Sequence, residues 1–358
     1  MAETKLDLGP IQKLMDDADI SEIMVNEYGK VFVEKFGKKV LTDVKLNDNK
    51  EVLDLSQRIF NAMGKRLDSD LPYMDVCLDD GSRVNAIIPP LSRFGAALTI
   101  RKFSKRINSL EDLIKLDSLS QKAADFLVAC IKGRLNILFS GGTGTGKTTL
   151  MQLLSSYIAE DERIVTIEDT AELKLAQENI VSLETRPSDR DGKGEITIRD
   201  LIRNSLRMAP DRIIIGEIRG EEAIDMLQAM ATGHSGTLGI IHGNSPREVI
   251  ARLETMMLMS GINLPLDEIK KQISTTINII VHIERFSDGT RKVSHITELR
   301  GFEKGAVVFN DLFLYQADSI NDQGHIIGKL KPVLRNYPLF YQKFLRKGLI
   351  NDKVFVSE

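Results

Sequence analysis

Leu135-Asn-Ile-Leu-Phe-Ser140, followed at once by Gly141-Gly-Thr-Gly-Thr-Gly-Lys147-Thr148, is the stretch from which the rest of this sequence is read. An apolar run of strand type meets a glycine-dense turn, and residues 149–159 then carry apolar side chains at helical period. The order strand, G-x-x-x-x-G-K-[ST], helix has a physical need behind it. Glycines let several backbone N–H groups converge on one anion, and a helix N-terminus adds its positive end. Gly141, Gly142, Thr143, Gly144, Thr145 and Gly146 are the expected phosphate cradle. Lys147 is expected to reach the β- and γ-phosphates, the Thr148 hydroxyl to ligate Mg²⁺, and Thr149 to complete the nucleotide-binding set. A glycine-rich linker does not fit, because a helix follows immediately.

Outward from the loop, short apolar runs alternate with helical patterns. The runs are 135–139, 164–167, 180–183, 213–215 and 238–241; the helical patterns between them are 149–159, 197–208 and 221–231. Such alternation implies a mostly parallel sheet with helices on both faces. Ser118 and Gln121 read as a capping box ahead of Ala123, Phe126, Leu127, Cys130 and Ile131. Ser245-Pro-Arg-Glu248 reads as another, opening a helix to about Met259. After Ile277 the pattern changes to hairpins, with Asp288-Gly289 as one turn.

Residues 1–104 read as a separate small α/β unit. Ile23-Met-Val-Asn and Val31-Phe-Val-Glu are strand-like, and Val52, Leu55, Ile59 and Met63 have helical spacing. Asp79-Asp-Gly81 marks a hairpin between 73–78 and 82–88, and 97–103 is a last strand. Between Gly81 and Leu110 there is no acid, while Arg83, Arg93, Arg101, Lys102, Lys105 and Arg106 supply six bases. That stretch is either a solvated basic face or a surface that meets phosphates. The expected division is therefore residues 1–104, a basic linker at 105–118, and a nucleotide-binding domain at 119–358 that ends in a hairpin and helix extension.

The whole chain has 358 residues, 42% hydrophobic and 28% charged, which is globular composition on the scale of two domains. A net charge of −3 gives no global field toward nucleic acid or anionic lipid. Cys77 and Cys130 stand far apart in no metal-ligand spacing, which fits a reducing compartment. The N-terminus has acids where a signal peptide needs an apolar run, and no stretch approaches the ~18 apolar residues of a membrane span. Secreted, integral-membrane and disulfide-scaffold classes are excluded on these grounds.

Ligands of open parallel sheets bind beyond the carboxyl ends of the strands. The residues there are informative. After 164–167 come Glu168, Asp169 and Glu172; after 180–183 come Glu184 and Arg186; after 213–215 come Gly216, Glu217 and Arg219; after 238–241 comes His242. Gly216 stands where many phosphate-loop ATPases carry an Mg²⁺-binding Asp. Glu168 and Glu217 together can compensate, one holding Mg²⁺ through water and the other orienting the attacking water. Both stay candidates for either role, with Glu168 taken as the base and Glu217 as the metal-side acid. His234 and His242 share the segment Thr232-Gly-His-Ser-Gly-Thr-Leu-Gly-Ile-Ile-His242. Metal ligation lacks a third ligand at suitable spacing; the other readings are satisfied core histidines or sensors of a γ-phosphate.

Taken together, these motifs resemble the secretion-superfamily ATPases, the motors of type II and type IV secretion and of type IV pili. The four boxes of that family are matched by 141–148 (Walker A), 167–173 (Asp box), 213–219 (Walker B, with Gly-Glu at 216–217) and 232–242 (His box). Leu183-Glu-Thr-Arg-Pro187, Gly192-Lys-Gly-Glu-Ile-Thr-Ile-Arg199, Arg203-Asn-Ser-Leu-Arg-Met208, His242-Gly-Asn-Ser-Pro-Arg247, Asp80-Gly-Ser-Arg-Val-Asn85 and Leu98-Thr-Ile-Arg-Lys-Phe103 look like the Tad/Flp pilus-assembly branch, the CpaF-like ATPases. The resemblance spans about residues 8–300. Gly243, Gly239, Ala209 and Cys77 depart from that branch's pattern, the last two removing arginines it often carries. The chain starts near the family's N-terminal α/β domain, ahead of which many relatives carry a longer leader.

The resemblance implies a PAS-like N-terminal α/β domain joined by a basic linker to a RecA-like ATPase domain. It implies a homohexamer that binds Mg-ATP between the two domains, with Arg101 and Arg83 meeting the γ-phosphate. Arg203, Arg207 and Arg219 are further contact candidates, and Lys147, Glu168, Glu217, His242 and Arg101 are the expected catalytic set. Arg83, Arg219 and His234 join the cradle as expected nucleotide contacts. The implied activity is ATP hydrolysis that powers Tad/Flp pilus assembly, from the cytoplasm and through inner-membrane platform proteins. The alternatives are a type IV secretion motor for protein or DNA–protein substrates and, in another class, a nucleotide-gated assembly scaffold. Direct nucleic-acid binding is not expected: there is no tryptophan and no basic segment rich in aromatics. A GTPase is disfavoured by the lack of an Asn-Lys-x-Asp tetrad.

Overall fold

The computed structural model describes residues 6–35, 37–103, 107–188, 191–322, 324–334, 336–350 and 354–355. It divides into two compact units, Met1–Arg106 and Ile107–Glu358.

The first unit is a six-stranded antiparallel sheet. Its strands are β1 (Ile20–Glu27), β2 (Lys30–Lys35), β3 (Lys38–Leu41), β4 (Tyr73–Cys77), β5 (Arg83–Ile87) and β6 (Ala97–Arg101), in the order β3-β2-β1-β6-β5-β4. Two helices accompany it, α1 (Gln12–Asp16) and α2 (Asn49–Ala62). The Asp48 side chain caps α2 by accepting from Glu51 N, and α2 buries Val52, Leu55, Ile59 and Phe60. These join Ile23, Val25, Val84, Leu98 and Ile100 in one core. β3 was not anticipated: all four of its residues are exposed at the sheet edge, so no alternation marks it. The basic stretch also resolves into different roles. Lys102 Nζ donates to the carbonyls of Leu14 (3.2 Å) and Asp17 (2.5 Å), which makes it a cap for the end of α1. Arg101 lies opposite Arg83 on one side and Glu22 on the other, with Nε 3.5 Å from the Glu22 carboxylate. Lys105 and Arg106 lie outside the described residues.

The second unit is built on a nine-stranded sheet. Its strands are β7 (Ile137–Gly141), β8 (Ile164–Glu168), β9 (Ile180–Glu184), β10 (Arg212–Ile218), β11 (Leu238–His242), β12 (Ile279–Arg285), β13 (Arg291–Glu303), β14 (Ala306–Ile320) and β15 (Ile326–Pro332). The order is β15-β14-β13-β12-β7-β11-β10-β8-β9. From β12 to β9 all neighbours are parallel; from β12 to β15 all are antiparallel. Helices α3 (Leu110–Lys115), α4 (Gln121–Lys132), α5 (Lys147–Ser155), α6 (Ile198–Ser205), α7 (Glu222–Ala231), α8 (Pro246–Met259), α9 (Leu266–Thr276) and α10 (Tyr341–Arg346) complete the unit.

Strand periodicity produces two cores. Ile137, Phe139, Ile214, Ile240 and Val281 face the core that contains α4 and α5. Leu138, Ile213, Ile215, Ile241 and Ile280 face the one that contains α6 to α9. The stretch read as linker carries α3, started by a capping box at Ser109 and Asp112, with Leu110 and Leu113 in the first of these cores. The cap of α4 is Ser120, whose side chain accepts from Ala123 N; Ser118 instead donates from Oγ to Arg291 O at 2.6 Å. At Ser245 the serine half of the expected box forms, while Glu248 accepts from Asn244 N.

At the amino ends of the parallel strands lies a charged knot. Arg212 is fully buried, with Nε 2.5 Å from Glu162 Oε2 and Nη2 3.1 Å from Oε1. Its Nη2 also donates to Ile131 O at 2.9 Å. Arg134 bonds the same Glu162 at 2.7 Å and reaches Asp211 at 3.2 Å, and Asp211 accepts from Arg163 N. Burial alone would raise the Glu162 carboxyl, yet hydrogen bonds from Arg212 and Arg134 overcome it and hold the group below its ordinary range. Beside the knot, Asn136 Oδ1 accepts from Gly236 N and Thr237 N, and its Nδ2 donates to Thr276 O. Each of these charged groups has a protein partner, and Arg134 and Asp211 reach solvent as well.

Candidate functional site

The opposite edge, at the carboxyl ends of the same strands, is arranged differently. β7 is central, with β11 on one side and β12 on the other; His242 and Ile283 both pair with Gly141. Gly141, Gly144 and Gly146 have φ of 147°, 72° and 100°, values L side chains rarely adopt. A Cβ on Gly141 would fall against the Ile283 carbonyl, so the loop leaves the sheet close beside β12. Gly146 is the N-cap of α5 in the left-handed region, and no side chain caps that helix. The first N–H groups of α5 are thus left for an external acceptor.

Lys147 is buried, with Nζ 3.1 Å from Gly141 O and 2.7 Å from Gly142 O. Its ammonium is folded over the loop. Thr145 Oγ1 donates to Gly142 O at 3.0 Å and braces the turn, while Thr148 and Thr149 are half-buried in the first turn of α5. Glycines of left-handed conformation, an uncapped helix start and an ammonium over the loop fit a polyphosphate with its divalent cation.

Two strand-end acids flank the loop through the neighbouring strands. Glu217 near the end of β10 is 2.9 Å from His242 Nε2 through one oxygen and accepts from Arg219 Nη2 at 2.5 Å through the other. Arg219 also lies 3.6 Å from Asp169. Burial opposes ionisation of Glu217, but the Arg219 hydrogen bond, with His242 and Lys147 nearby, brings its carboxyl below the usual value. His242 shifts downward as well: burial and the Lys147 charge disfavour the imidazolium more than Glu217 favours it. The pair therefore has a neutral imidazole against an ionised carboxylate at neutral pH.

Glu168, at the end of β8, is almost fully buried. Its Oε1 accepts from the backbone of Glu172 (3.0 Å) and Leu173 (3.1 Å), and Oε2 from Leu173 at 3.3 Å, so its orientation is set by the following turn. The glycine before Glu217 now has a structural cause. A Cβ on Gly216 would lie 2.8 Å from Glu168 Cγ, so the absent side chain is the space in which Glu168 sits. The two features read separately in the sequence, a missing Asp and an acid one strand away, are a single packing arrangement.

The remaining sequence-derived residues divide. Arg219 is brought into the site. His234 is not: it precedes β11, at the amino edge of the sheet, whereas His242 ends that strand, and five strand residues at ~3.3 Å each separate the edges. Its backbone carbonyl accepts from Thr237 Oγ1, and its Nδ1 is buried without a hydrogen bond. Arg203 shares the buried Asp225 with Arg199, at 2.8 Å and 2.7 Å. Arg83 and Arg101 belong to the first unit.

A profile of the family described as Type II/IV secretion system protein matches residues 4–313. A putative conjugal transfer protein of Mycobacterium tuberculosis is 33% identical over 82% of this chain and 85% of that protein. The type IV secretion system protein PtlH of Bordetella pertussis is 35% identical over 75% of this chain and 86% of that protein. Among solved structures, the pilus retraction motor PilT with bound ADP gives a TM-score of 0.56 at 19% identity, covering 95% of this chain and 86% of that one, a likeness of fold.

Proposed function

We propose, from the premise that this chain belongs to the Type II/IV secretion system protein family, that it is a motor ATPase of a type IV secretion or conjugal-transfer machine. The observation that carries the activity is the meeting, at one sheet edge, of an anion-ready loop bearing Lys147 with the Glu217–His242 pair. Lys147 and the N–H groups of 141–149 bind and orient the phosphates of ATP. Thr148 and Glu217 would hold Mg²⁺, with Glu168 as a further candidate; the ion would neutralise charge on the β- and γ-phosphates. Glu168, locked by two backbone amides, orients the attacking water as the base. His242 gives its one N–H, on Nε2, to Glu217 from a neutral ring, and Arg219 holds the other oxygen of that carboxylate, so the pair fixes where Glu217 points.

Arg101 and Arg83 supply positive charge from the N-terminal unit when the chain assembles as a ring of six, the closed solution for a repeated heterologous interface. The motor acts at the inner membrane through partner proteins. No helix among the described residues is long and apolar enough to cross a membrane.

For the cargo, secretion or transfer takes precedence over pilus assembly. It is supported by the relatives named for conjugal transfer and type IV secretion. The second reading, a CpaF-like Tad/Flp pilus motor, rests on the motifs at 183–187, 192–199 and 242–247. The test of the activity is phosphate release from ATP and Mg²⁺ by purified protein. Turnover should be lost in Lys147→Ala, and near-normal turnover in that variant overturns the site. Deleting the gene in its host and scoring transfer against piliation separates the two cargo readings.

A further inference from the structure

The stem of the phosphate loop carries a second imidazole that none of the four boxes includes. His282 sits in β12 opposite Ser140, the residue before Gly141. It is 1% exposed, and Ser140 is fully buried. His282 Nδ1 is 2.8 Å from Ser140 Oγ. The other nitrogen, Nε2, is buried and makes no hydrogen bond of normal geometry. The Glu284 carboxylate, an acceptor, has Oε1 3.6 Å away. It assigns the ring proton to Nε2, and the Ser140 hydroxyl then donates to Nδ1. Glu284 is itself engaged by Ser294 Oγ at 2.6 Å, and Ser294 by His295 Nδ1 at 2.9 Å.

The placement matters because β12 is one wall of the phosphate loop and β11, which ends in His242, is the other: Ile283 and His242 both pair with Gly141. The His282–Ser140 bond thus fixes one wall to the residue from which the loop departs. Interactions of this kind set the register of reacting groups, where misplacement by ~1 Å can cost ~10²-fold in rate.

We propose that His282 is a positioning residue that ties Ser140, at the stem of the phosphate loop, to β12. A nucleotide seated in the loop is thereby aligned with the Glu217–His242 pair. The inference rests on the ATPase reading above. It assigns His282 no contact with substrate; its effect passes through Ser140.

The experiment measures ATP turnover, KM, ADP affinity and thermal unfolding for the wild type, Lys147→Ala, His282→Ala, Ser140→Ala, their double variant and His282→Gln. Wild-type turnover that Lys147→Ala abolishes upholds the ATPase reading. Its absence removes that reading and this inference with it. Given that turnover, kcat should fall about 10-fold in His282→Ala while ADP affinity stays within about 3-fold, a split that simple loss of packing does not produce. Ser140→Ala should fall less, and the double variant no further than His282→Ala, because both cut one link. His282→Gln, whose amide oxygen can accept from the Ser140 hydroxyl, should recover part of the loss. Normal kcat in folded His282→Ala overturns the proposal. So do additive losses in the double variant, or losses of kcat and ADP affinity in equal measure. If His282→Ala does not fold, normal kcat in folded Ser140→Ala overturns it alone.

Discussion

The two edges of the nine-stranded sheet use the same side chains to opposite ends. At the amino edge, Arg212, Glu162, Arg134 and Asp211 bond one another and the backbone, and Arg212 has no exposed surface. At the carboxyl edge, Glu217, Arg219 and His242 also touch, but they stand beside a helix start with no cap and a loop shaped for an anion. Exposure does not separate the two groups, since Arg134 and Asp211 are more exposed than Glu217 and His242; the uncapped N–H groups beside the second do. What separates a structural knot from a site is therefore the number of acceptors and donors left over, not the residue types.

That contrast can be broken in order of expected effect. Glu162→Ala strands the guanidinium of Arg212 and should cost about 3–5 kcal/mol of stability. Chemical denaturation would show it, with turnover per folded molecule unchanged. A stability near wild type would mean that water enters the amino edge and the knot is not closed. At the other edge, Glu217→Gln and Glu168→Gln should each lower turnover by about 10²-fold, some 2.7 kcal/mol of barrier, with ATP affinity largely kept. Lost affinity at unchanged saturating turnover would contradict a catalytic role for either acid. Gly216→Ala should reduce turnover about 10-fold by displacing Glu168, since the new Cβ would stand 2.8 Å from its Cγ. Full activity in that variant would show that Glu168 can shift without consequence.

Arg101→Ala should lower turnover by roughly 10-fold and Arg101→Lys by less, with nucleotide affinity preserved, because a guanidinium binds phosphate as a fork. Unchanged turnover would leave Arg101 as no more than the partner of Glu22. The smallest effect is on pH. The folded pKa of His242 lies below its ordinary value, so between the two the unfolded chain holds the extra proton. Stability must then fall as pH drops below about 6.5 toward the folded value. His282 shifts the same way, through burial, and adds to the slope. Melting temperatures between pH 7.5 and 5.5 should fall, and His242→Asn should flatten the fall; an unaltered slope would remove His242 from the account.

Much of this was legible in the sequence because periodicity and strand-end chemistry are local. The five apolar runs became β7 to β11, and the loop, Glu168, Glu217 and His242 share one edge. β3 was hidden because it buries nothing. α3 was hidden within a stretch read by its charge, although Leu110, Leu113 and the Ser109–Asp112 capping box betray it. His234 was grouped with His242 by nearness in the chain, although a whole strand lies between them. Lys102 and Arg212 show the limit most plainly: a basic residue, whether among other bases or beside an acid, gives no sign whether it will end on a helix carbonyl, a buried carboxylate or solvent.

The position of β7 has a consequence in time. Both strands that flank it come later in the chain, β11 from residue 238 and β12 from residue 279, and Gly141 leaves the sheet against the carbonyl of Ile283. During synthesis from the N-terminus, the glycine loop emerges from the ribosome long before the walls that hold it. The nascent chain then carries a complete phosphate-binding sequence with no phosphate-binding shape. The ability to hold nucleotide should arise abruptly once β12 has left the exit tunnel, so stalled chains ending before that point should stay blind to ATP.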